Sequence, residues 1–144
     1  LGKKFKDPMH YVISSVRLAY EDKMIVNTGP ILNWINTLGQ QANGHQTPDG
    51  YSMKELACSS PAQMTARFDV ARLIARGAPN LFKADAEETT AQHREAARPV
   101  LAQNVYVKGL SNQFSVTSRE ALSQSGSAQE WNAFFLSAPE MMRR

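Results

Sequence analysis

A single cysteine in 144 residues, Cys58, excludes an intrachain disulfide and leaves the redox compartment open. It also excludes a zinc site built on paired thiolates. The three histidines, His10, His45 and His93, are too scattered for a local His-x-x-x-His motif, so no metal is predicted. Gly-x-Ser-x-Gly, Ser-x-x-Lys, the phosphate-cradling P-loop and the dinucleotide Gly-x-Gly-x-x-Gly are all missing. The sequence therefore predicts no cofactor and no catalytic residue, and only a site assembled from distant residues stays open. No run approaches the roughly 18 apolar residues of a membrane span. There is no alternating strand pattern of useful length and no internal repeat.

What remains is ordinary for one soluble domain: 42% hydrophobic and 20% charged residues. At this length about two-thirds of the unfolded surface can be buried. The net charge of +3 sits at the ends, on Lys3, Lys4, Lys6, Arg143 and Arg144. Removing those five from the 16 basic residues leaves 11 against 13 acidic ones, a slightly acidic body. Affinity for nucleic acid rests on neutralising phosphates with a basic face. Basic ends on an acidic body argue against that partner.

Helix signals fill the chain. Asp7-Pro8 is an N-cap followed by proline at the first helical position, and Met9, Val12, Ile13, Val16 and Tyr20 follow at helical spacing. Thr28 and Pro30 open a second helix over Ile31, Leu32, Ile35 and Leu38, with Gly39 placed to close it. Ser60-Pro61-Ala62-Gln63 reads as a capping box before a broad apolar face of Met64, Phe68, Val70, Ala71, Leu73, Ile74 and Ala75, stopped by Gly77. Residues 85–98 are helix-compatible but polar, and Pro99 ends or kinks them. The stretch 99–114 is ambiguous between short helix and extended chain. Thr117-Ser118-Arg119-Glu120 and Ser127-Ala128-Gln129-Glu130 are further capping boxes, and Pro139 restarts the chain for a last turn. The expected fold is all-α: an irregular bundle of about six helices, one helical domain over 1–144, with a long loop between the second and third.

Candidate ligand-binding residues fall in two places. The loop Asn43–Tyr51 (NGHQTPDGY) carries His45, Asp49 and Tyr51. A histidine titrating near neutral pH and a carboxylate serve as base or ligand, whereas turn chemistry alone accounts for Pro48, Asp49 and Gly50. Arg72 and Arg76 share a helical face and suit a two-pronged grip on carboxylate or phosphate. A structural use is the alternative, because Asp69 precedes Arg72 by three residues and both arginines lie near a helix C-terminus. Cys58 has no basic neighbour in sequence to activate it and reads as a buried small side chain.

Several segments in order carry a resemblance: Lys4-Phe5-Lys6-Asp7-Pro8, Tyr11 to Arg17, Leu38-Gly39-Gln40 and Thr47-Pro48-Asp49-Gly50-Tyr51. Gln63-Met64-x-x-Arg67-Phe68 and Leu136 to Arg144 complete the series. The chain resembles the C-terminal part of a bacterial family catalogued as domain of unknown function 1800. That resemblance implies a longer, exported parent, periplasmic or secreted, with the upstream part of the same protein as first partner. A protein partner or a second copy of the chain is the further expectation. It carries over no activity and no catalytic residue. Cys58 stands near a position where the family often has tryptophan.

Overall fold

The computed structural model describes residues 6–21, 23–42 and 61–143, with backbone alone for 40–42. Eight α-helices occur among them: α1 Pro8–Tyr20, α2 Gly29–Ala42, α3 Pro61–Ala75 and α4 Ala91–Ala96, then α5 Val105–Asn112, α6 Val116–Ser123, α7 Ala128–Ser137 and α8 Pro139–Met142. Two 3-10 turns, Pro79–Phe82 and Leu101–Gln103, join them, and the described residues contain no strand. Six helices have seven residues or more, so the fold is the expected all-α one.

Local chemistry sets most boundaries. The Asp7 carboxylate accepts the His10 backbone N–H at 2.7 Å, capping α1. At the start of α2 the Thr28 carbonyl accepts the Leu32 N–H, but the side-chain oxygen on the first turn is Asn27, accepting from Gly29 at 2.9 Å. Gly39 does not end α2; the helix runs through it to Ala42, with open space where a Cβ would stand. The expected box at Thr117 also moves. Ser115 caps α6 by accepting the Ser118 N–H, and Thr117 sits inside the helix. Ser127 caps α7 as expected, through the Glu130 N–H at 3.1 Å. The ambiguous stretch resolves as helix because the Asn104 side chain accepts from Tyr106 and Val107. In the polar stretch only α4 forms, capped by a reciprocal Thr90–His93 pair.

The core gathers around α3, which packs most extensively on α7 and also meets α2 and α1. Tyr11 and Tyr20 of α1 are buried, and their hydroxyls donate to the Leu136 and Ile74 carbonyls, both at 2.7 Å. Those two bonds tie α1 to α7 and α3 with the polar tips satisfied. Phe135 is stacked between Phe114 and Trp131, with ring centroids 5.3 and 5.6 Å away. Near the two ends, the Lys6 N–H donates to the Met142 carbonyl at 2.7 Å.

Gly77 stops α3 at a φ of +101°, where an added Cβ would stand 3.1 Å from the Ala97 carbonyl oxygen. Side chains are disfavoured at that φ, and here the backbone of the α4 exit leaves no room either. Gly77→Ala is expected to lower the unfolding free energy by about 2 kcal/mol in urea titrations. A change below about 0.5 kcal/mol would refute the strain argument.

Candidate functional site

The buried face of α3 differs from the apolar stripe in its sequence. Met64, Phe68 and Leu73 are half-buried, while Gln63 and Arg67 are 0% exposed alongside Val70, Ala71 and Ile74. Two polar residues one turn apart thus occupy the core. A buried guanidinium survives only when its donors are met. Arg67 Nε donates to Gln63 Oε1 at 3.0 Å, one Nη donates to the Lys6 carbonyl at 2.5 Å, and the other lies 3.8 Å from Met142 Sδ. The cation sits 5.1 Å from the centre of the Tyr11 ring, an attractive placement over its π face. Gln63 passes the connection on by donating to the Leu38 carbonyl at 3.0 Å. The capping box that the sequence predicts for Gln63 pairs it with Ser60, which lies outside the described residues. Arg67 is therefore a structural hub, and the spacing of apolar residues along the helix gives no sign of it.

With Arg67 inside, Arg72 and Arg76 are left on the outer face of α3, both exposed. They line a cleft of about 560 Å³ between α3 and the start of α7, with Phe68, Asp69, Glu130 and Phe134. The Arg72 guanidinium lies 6.0 Å from the Phe68 ring centre. Neither arginine forms an ion pair within the described residues; the two ion pairs found there are His93–Glu87 and Arg98–Glu95. Asp69, placed by sequence to pair with Arg72, does not do so. The cleft thus offers two guanidinium forks over aromatic walls, with Asp69 and Glu130 as charge balance. That can hold a carboxylate in two-pronged fashion. It contains no nucleophile and base in contact.

His45, Asp49, Tyr51 and Cys58 lie outside the described residues. Arg72 and Arg76 are the two candidates that the structure brings together. Among the described residues no group of three His, Cys, Asp or Glu side chains is arranged to hold a metal. No helix there is long and apolar enough to cross a membrane.

No curated protein and no solved structure matches the chain. The family described as "Protein of unknown function (DUF1800)" matches residues 1–143. That match covers nearly the whole chain, so it belongs to the DUF1800 family of proteins of unknown function.

Proposed function

We propose that the chain is a recognition domain without catalytic groups of its own, holding a carboxylate-bearing protein segment in the cleft of Arg72 and Arg76. One observation carries this reading: two guanidinium groups one turn apart share a cleft and neither is engaged by a carboxylate of the described residues. Arginine presented this way, beside aromatic walls, suits protein contacts better than a reaction centre. We place the chain as one helical domain at the C-terminal end of a longer, exported bacterial protein, on the resemblance its motifs carry. Its first partner is then the upstream part of that protein.

Hexaglutamate is the simplest probe. Added to isotopically labelled protein, it should shift the Arg72 and Arg76 side-chain N–H signals together with the Gln129 and Glu130 amides. R72Q/R76Q should abolish those shifts while changing stability by less than about 0.5 kcal/mol, as exposed substitutions do. Shifts that persist in the double variant, or map elsewhere, overturn the reading.

A further inference from the structure

A second cleft, sharing no residue with the first, opens between α1 and the α5–α8 end of the bundle, with a volume of about 620 Å³. Its charged lining is Lys6, His10, Arg17 and Arg143 against one carboxylate, Glu140. Leu18, Leu110 and Phe114 give it an apolar floor, and Tyr106 stands exposed beside them.

Lys6 distinguishes this cleft from an ordinary basic surface. The residue is only 8% exposed, yet its ammonium makes no hydrogen bond and no ion pair with any described residue. Its backbone is fully used, donating to Met142 and accepting from Arg67, so the segment is fixed in place. Among the described residues that line the cleft, the one carboxylate is committed elsewhere. Glu140 accepts the Ser115 N–H at 2.6 Å and the Ser118 hydroxyl at 2.8 Å, and it forms no ion pair with Lys6, His10 or Arg17. Burial, followed by the Arg67 charge, pushes the Lys6 pKa down. A cation partly withdrawn from water beside a second cation is costly until an anion joins it.

We infer that this cleft binds a small organic anion, a phosphate monoester or carboxylate with an aromatic or aliphatic body. Lys6 and Arg17 take the charged end, and Leu18, Leu110 and Phe114 take the body. The volume fits such a ligand, and lysine met by an anion gains a charge-assisted bond that water at the cleft mouth does not match.

Phenyl phosphate, inorganic phosphate and phenol, titrated calorimetrically into the folded chain at about pH 7 and up to about 5 mM, test this. Phenyl phosphate should bind at least about tenfold more tightly than either fragment, and Lys6→Met should weaken it at least about tenfold. Arg17→Gln, on an exposed position, should weaken it several-fold and keeps the test valid should the Lys6 variant misfold. In R72Q/R76Q the phenyl phosphate binding that remains should keep its dependence on Lys6 and Arg17, so this site and the carboxylate cleft stand or fall separately. Inorganic phosphate binding as tightly as phenyl phosphate overturns the organic part of the assignment. No heat at the highest concentration, or binding indifferent to Lys6→Met and Arg17→Gln, overturns the site.

Discussion

Arg67→Ala should cost about 4 kcal/mol of unfolding free energy, a large part of the roughly 5–15 kcal/mol that holds a domain of this kind. The removed side chain is fully buried and does three things at once. It donates to the Lys6 carbonyl and to Gln63, it lies over the Tyr11 ring, and it fills the space beside Met142. Alanine takes a donor away from two buried acceptors, at up to about 1–3 kcal/mol each, and leaves a cavity as well. Arg67→Lys should recover only part of the loss, because one ammonium on a flexible stem cannot reproduce a planar fork aimed at two acceptors. Urea unfolding followed by tryptophan fluorescence provides the measurement. If both variants stay within about 1 kcal/mol of the parent, Arg67 is not the hub described above.

That hub also explains what the family resemblance in the sequence was registering. The quoted segments are far apart in the chain, yet most of them meet at one guanidinium. Lys6 comes from the opening segment, Tyr11 from the next, and Leu38 joins through Gln63. Gln63 and Arg67 belong to the fifth segment, and the last contributes Met142 together with Leu136, which Tyr11 reaches by its hydroxyl. A motif set that looks like a scattered site is therefore a packing arrangement. Of these segments Thr47 to Tyr51 alone lies wholly outside the described residues.

The helices were legible because their signals are local: Asp7 and Ser127 cap through their side chains, and Gly77 stops a helix by having none. Gly39 misled for the same reason. A glycine permits a helix end but does not force one, and the apolar contacts of Leu38 favour continuing the helix. Thr117 is the cap that the sequence suggests, and Ser115 stands two residues before it. The structure favours Ser115, whose own N–H is taken by Glu140 from a distant helix. The arginine pair was legible from spacing alone. Lys6 was not, because its burial depends on α1, α3 and α8 closing over a segment that reads as a charged tail.

Raising pH should unfold the protein steeply above about pH 10, the ordinary tyrosine value. Burial pushes the Tyr11 and Tyr20 phenols well above that value, and this outweighs the opposing Arg67 charge at Tyr11 and the opposing hydrogen bond from the Ala78 backbone at Tyr20. A raised folded pKa means the folded state holds its proton longer than the unfolded chain does. The stabilisation is complete below the unfolded value and is lost as pH rises through the folded one. Each phenol then removes up to about 1.4 kcal/mol per pH unit, and the two together up to about 2.7. Lys6 works in the opposite sense. Its depressed folded pKa makes the unfolded chain bind more protons, so stability rises with pH up to about 10.4 and no further. The expected profile is a shallow rise into the alkaline range followed by a sharp fall. Urea midpoints taken between about pH 8 and 11.5 trace it, and Tyr20→Phe should roughly halve the slope of the fall. A fall of undiminished slope in that variant would place the alkaline transition elsewhere than in these two hydroxyls, bonded to Leu136 and Ile74 across the core.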